Sequence, residues 1–217
     1  VGCHDNTNVV FFALDSLRQL SIRFFDLDEL SFFMFQKDFL KPFEYVMGHN
    51  DNTQVCDMVL QCLKQMVLAK SEKIKSGWRT MFSTFTVAVK KNNATAGLAA
   101  GVAELAVRIQ RDHFDQLIQQ DAFGGFVGCL SSLGKNPRFQ KPSLQAMDLL
   151  KGLPKKIIPY SDKDTGDDEL YNKYWFPVLY SLHDVIMNGE DLEVRSRALN
   201  YMFDILIVYG NKFSGNF

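Results

Sequence analysis

Catalysis or metal binding in this chain would rest on four histidines, four cysteines and scattered carboxylates. His4, His49, His113 and His183 stand apart, and none pairs with another histidine or a cysteine at a metal-ligand spacing. Cys56 and Cys62 lie more than a turn and a half of helix apart, without the tight turn of a structural zinc site. Asp26, Asp28 and Glu29 cluster, but "DLDELSFFMFQK" lacks the central glycine and distal glutamate of a calcium loop. The cluster reads instead as capping for the helix that follows. His183 and Asp184 are adjacent, so they diverge on a helix, and Ser181 is not spaced to meet His183. "GKNPRFQK" lacks the spacing of a phosphate loop, and no serine occupies a nucleophile elbow. The residues therefore predict no metal, no cofactor and no active site of the chain's own.

Charge is the remaining signal. Formal net charge is −1 over 217 residues, which gives no argument for nucleic-acid binding. The total conceals banding. Residues 1–57 sum to −5, 64–91 to +6, 135–156 to +5 and 161–169 to −4. Lys70, Lys73, Lys75 and Arg79 surround the Ser71–Trp78 junction and are the candidate interaction residues. Lys135, Arg138 and Lys141 surround a second junction, and Lys151, Lys155 and Lys156 flank a later one. Two readings stand: a basic stripe facing an acidic protein or anionic lipid, or ordinary solvated faces. Trp78 starts a stripe with Phe82 and Phe85, which is helical spacing, so it reads as core that holds the junction. Nucleic-acid platforms interleave aromatics with basic residues over an open surface, and this stripe does not. Arg195, Arg197 and Asn200, in "VRSRALNY", are expected to brace the last helix against its predecessor.

The elements that must position these residues are helices. The periodicity predicts helices over Val9–Phe25, Phe32–Met47 with Ser31 as cap, Thr53–Ala69, Trp78–Val89, Val102–Gln119, Ala122–Leu133, Phe139–Leu153, Tyr174–Met187 and Leu192–Tyr209. "KKNNATAGLAAG" reads as a polar, small-residue loop, and "PKKIIPYSDKDTGDDEL" as a long exposed one. About nine helices and no alternating strand result. Three of the helices repeat a theme: a polar turn, then an apolar face carrying a small residue, Cys62, Ala146 or Ala198. That is the logic of paired-helix repeats, with an irregular all-α globule as the alternative. The cysteines show no disulfide framework and predict a reducing compartment. No stretch is long and apolar enough to span a bilayer. The abrupt ends, "VGCHD" and "GNKFSGNF", predict a piece of something larger.

Three blocks carry a family resemblance. "DSLRQLSIRFFDLDELSFFMFQKDFLKPFEYVM" resembles the segment downstream of the catalytic domain in the large Golgi ARF guanine-nucleotide exchange factors, the Sec7p/BIG family. "NTQVCDMVLQCLKQMV" with "IKSGWRTMFSTFTVA" is similar to the continuation of its first downstream homology domain, HDS1. "KYWFPVLYSLHDVIMNGEDLEVRSRALNYMFDILIVYG" is similar to that domain's end. The resemblance implies an armadillo/HEAT-like right-handed α-solenoid, a single regulatory domain over residues 1–213. Exposed loops are expected near 90–97 and 157–170, and a disordered tail over 214–217. It implies a cytoplasmic protein recruited to trans-Golgi membranes, with exchange chemistry in an upstream Sec7 domain. This region would regulate ARF activation by autoinhibition and by binding ARF, most of all its GTP form, or anionic Golgi membrane. It would also contact neighbouring domains of its own chain. The alternative is a purely structural scaffold between the catalytic and downstream domains.

Overall fold

A computed structural model describes residues 4, 6–30, 33–161 and 168–213. Its ten helices of six residues or more are α1 (Thr7–Phe24), α2 (Phe35–His49), α3 (Thr53–Lys70), α4 (Gly77–Lys90), α5 (Ala96–Asp112), α6 (Phe114–Gln119), α7 (Phe123–Gly134), α8 (Gln140–Ser161), α9 (Phe176–Asn188) and α10 (Leu192–Tyr209). No strand occurs among the described residues; Leu30 and Phe33 form an isolated bridge. The fold is all-α, as the periodicity predicts. The expected cap Ser31, the residues 162–167 of the expected loop and the tail 214–217 lie outside the described residues.

The chain divides into two compact units after Gly125, within α7. In the first unit α1 packs on α3, α2 on α4 and α3 on α5. Alternate helices therefore stack on one another, the layering of a helical-repeat solenoid. Leu40, Phe43 and Met47 of α2 and Trp78, Met81 and Phe85 of α4 are buried. In the second unit α10 packs on α9 and on α8. The repeated theme has a physical basis in both units. Asn52 accepts from the Gln54 amide and Asp191 from the Val194 amide, capping α3 and α10. Asn136 accepts from the Arg138 amide just ahead of α8. Cys62, Ala146 and Ala198 are all buried.

Three elements differ from the sequence expectation. The bland "ATAGLAAG" opens α5, with Thr95 capping it through the Leu98 amide at 3.0 Å. Its second glycine is a packing device: a Cβ on Gly101 would stand 2.8 Å from Leu60 of α3. The helix expected over Val102–Gln119 breaks at His113, and Asp121 turns the chain with a positive φ of 52°. Helix α8 runs through Pro154 to Ser161, because Leu153, Pro154 and Ile157 are buried and their packing outweighs the lost backbone bond. Before Pro177 the chain widens into a π-helical turn, Tyr171–Trp175, in which the Phe176 amide donates to the Tyr171 carbonyl.

Candidate interaction site

The Lys70–Arg79 junction leaves α3 through a 3₁₀ turn, Ser71–Lys73, and enters α4 at Gly77. Two side chains from the start of α2 and the segment before it hold it. Gln36 is buried; its amide nitrogen donates to the Lys73 carbonyl at 3.0 Å, and its oxygen accepts from the Lys75 amide at 2.7 Å. This pairing satisfies backbone groups that no helix serves. Glu29 uses its carboxylate the same way. Oε1 accepts from the Gln36 amide at 2.9 Å and from the Ser76 hydroxyl, and Oε2 accepts from the Ser76 amide at 3.0 Å. One carboxylate thus serves the first turns of both α2 and α4, where orphan amides and the helix dipoles favour negative charge. The acidic cluster at 26–29 does cap, through Glu29.

The seam between α2 and α4 continues as a polar line beside the buried core. Ser76 Oγ accepts from the Lys37 amide at 3.1 Å, Thr80 donates to the Lys37 carbonyl at 3.0 Å, and Ser83 donates to Glu44. Gly77 permits this approach: a Cβ there would meet Leu40 at 3.1 Å and Gln36 at 3.3 Å. Trp78 is fully buried and stacks on Phe82 at 5.6 Å between ring centroids. It is core beneath the junction.

The four candidate contacts are placed differently. Lys70 pairs with Asp26 at 2.5 Å. Lys75 reaches Asp28 at 3.9 Å and the Glu29 carbonyl at 3.5 Å, a loose engagement. Lys73 and Arg79 are exposed, and neither has an acidic partner within ion-pairing distance among the described residues. Lys37 on α2 is half-buried and likewise has no acidic partner within ion-pairing distance among the described residues, and the sequence carries no local signal for it. A cleft of about 250 Å³ opens here, lined by Leu30, Met34, Lys37, Lys75, Arg79 and Ala122 among others. Glu29 and Asp121 also face it.

The second basic band is organised otherwise. Asp184 accepts from Lys135, from Ser131 at 2.8 Å and from Asn188 at 2.7 Å. Burial works to raise its pKa, but these donors outweigh burial and hold the carboxyl below its ordinary value. Lys151 lies over the Tyr201 ring at 4.4 Å and 3.8 Å from Asp204. The "VRSRALNY" residues also separate. Arg195 Nε donates to the Ile186 carbonyl at 2.9 Å and ties α10 to α9. Arg197 pairs with Glu193 at 2.8 Å and reaches Asp148 of α8 at 3.9 Å. Asn200, expected to brace α10, is exposed and its side chain makes no hydrogen bond among the described residues; Tyr201, donating to Asp148 at 2.9 Å, links α10 to α8.

Cys56, Cys62 and Cys129 are buried free thiols. Burial pushes the Cys62 thiol up to about 11. Cys3 lies outside the described residues. No helix among them is long and apolar enough to cross a membrane.

Residues 23–104, which contain the whole Glu29–Gln36–Arg79 assembly, match the family model described as Mon2/Sec7/BIG1-like HDS. The ADP-ribosylation factor guanine nucleotide-exchange factor SEC7 of Saccharomyces cerevisiae is 40% identical over all of this chain. Its Schizosaccharomyces pombe counterpart sec72 is 43% identical over 99% of it. Human brefeldin A-inhibited guanine nucleotide-exchange protein 1 is 36% identical over 98% of it. The chain spans 12% of the length of each of these relatives. Residues 23–104 thus carry the Mon2/Sec7/BIG1-like HDS match, and the chain is homologous, along essentially its whole length, to one segment of the Sec7 and BIG1 exchange factors.

Proposed function

We propose that this chain is a non-catalytic regulatory segment of a large ARF guanine-nucleotide exchange factor. The observation that carries the reading is the coincidence of the HDS match with a junction whose cations Lys73, Arg79 and Lys37 lack acidic partners among the described residues. Exchange itself belongs to a Sec7 domain elsewhere in the parent protein. This segment controls it by autoinhibition and by engaging GTP-bound ARF on the membrane. The parent works in the cytoplasm at trans-Golgi membranes, in vesicle transport, and the anionic bilayer adds to recruitment through the exposed Lys73.

Liposome flotation tests this reading, using the chain with anionic vesicles bearing anchored ARF loaded with GDP or GTP. Recruitment by the GTP form, lost on charge reversal at Lys73 and Arg79 with unchanged melting, is the expected result. Equal recruitment by both nucleotide forms removes nucleotide sensing from this segment.

A second reading has its own observation. Lys70, Lys75, Lys135 and Lys151 are already committed to carboxylates within their own units. A purely structural scaffold, linking the catalytic domain to downstream helical domains, needs no more than that. No recruitment under any vesicle condition favours it.

A further inference from the structure

We infer that the cleft between Leu30, Met34 and Lys37, the start of α4 and the 120–122 turn is a receptor for a short acidic peptide segment with an apolar side chain between its carboxylates. The inference rests on the reading of this junction as an interaction site, and it specifies the chemistry of the partner. Its volume, about 250 Å³, falls below the roughly 300–1,000 Å³ of small-molecule pockets. It admits a side chain or two of a larger partner, not a whole cofactor.

Charge complementarity identifies those side chains. Lys37 and Arg79 line the cleft without acidic partners among the described residues, whereas nearby Lys41 and Lys70 pair with Asp38 and Asp26. Glu29 forms no ion pair with them, since its two oxygens accept from the Gln36 amide and from the Ser76 amide and hydroxyl. The other wall is apolar: Leu30 is 53% and Met34 48% exposed, with Phe33 beside them at 62%. Paired cations against an exposed apolar rim match carboxylates flanking an aliphatic side chain. The floor is preorganised by the Gln36 and Glu29 bonds, which lowers the ordering cost of binding. A bilayer fits less well. The site is concave, and Asp28 (89% exposed), Glu29 and Asp121 stand at or in it, where an anionic surface would be repelled. A peptide avoids them by its register.

The test is fluorescence polarisation of the whole chain with a labelled Gly-Asp-Asp-Leu-Glu-Asp-Gly peptide. Saturable binding is expected, weakened at least tenfold by Arg79→Glu and by Met34→Asp. Met34 is the N-cap of α2 and makes no side-chain bond, so Asp suits the position and folding is retained. Lys73→Glu, outside the cleft, should leave peptide affinity within twofold. Absence of binding overturns the inference. So does equal weakening by Lys73→Glu, equal binding of a peptide with Ser in place of Leu, or full displacement by millimolar inorganic phosphate. The ARF reading is scored separately by flotation. Recruitment by ARF-GTP without peptide binding overturns the receptor and leaves the function standing. Peptide binding without ARF recruitment supports the receptor and removes the ARF reading.

Discussion

The two basic bands look alike in sequence, +6 over residues 64–91 and +5 over 135–156, yet one carboxylate beside each, Glu29 and Asp184, is used in opposite ways. Beside the second, Asp184 faces a cation and gathers Lys135, Ser131 and Asn188. In the first, Glu29 turns to backbone amides and the Ser76 hydroxyl. Lys37, Lys73 and Arg79 make no ion pair among the described residues. The availability of a surface cation is thus decided by what the nearest carboxylate is doing, which net charge does not reveal.

The strongest way to break the comparison is to remove the core beneath the first junction. Trp78→Ala leaves a large cavity and should cost about 3–5 kcal/mol in urea denaturation. A cost below about 1 kcal/mol would show that the junction does not depend on it. Next comes the carboxylate itself. Glu29→Ala orphans two amides and a hydroxyl and should cost about 2 kcal/mol. The shorter carboxylate of Glu29→Asp should not rescue the site, because it cannot reach both helices. Glu29→Gln, which accepts through one oxygen only, should fall between wild type and Glu29→Ala.

The second band should respond to pH through Asp184. Asp184 has a folded pKa below its unfolded value, so its stabilisation is present above the ordinary Asp range near about 4 and is lost as pH falls through the depressed folded value. Wild-type stability should therefore drop on acidification more than that of Asp184→Asn. Parallel pH profiles would contradict the three-donor arrangement. The smallest effects are expected at Lys73→Glu and Asn200→Ala, each within about 0.5 kcal/mol by thermal melting, since both side chains are exposed without hydrogen bonds among the described residues. A larger loss at Asn200 would restore the bracing role expected from the sequence.

Much of this architecture is legible without coordinates. The α10 boundaries match the periodicity, and α3 runs one residue longer, because both combine a side-chain cap with a clear apolar face. The start of α5 escapes a sequence reading because Ala and Gly carry little periodic signal. Their purpose, the close approach of Gly101 to Leu60, is visible only in three dimensions. Helix α8 overruns its expected stop because burial of Ile157 overrides the local preference of Pro154. At the site, charge singles out Lys70, Lys73, Lys75 and Arg79, and spacing identifies Trp78 as core. Charge alone does not show that Lys70 is engaged, since its partner Asp26 lies 44 residues away. Gln36 and Lys37 give no sequence signal at all, because their roles arise from contacts with a junction 37 to 39 residues later.

The central claim is that the first junction is an interaction surface and the second is an internal brace. Vesicle flotation of the chain with anchored ARF-GTP, comparing the double variant Lys73→Glu/Arg79→Glu with Lys135→Glu, tests it most directly. The account predicts that the first variant loses recruitment with its melting temperature unchanged, while Lys135→Glu melts lower and, below its transition, is still recruited. Recruitment that survives reversal of Lys73 and Arg79, or that is never seen with the wild-type chain, would contradict it.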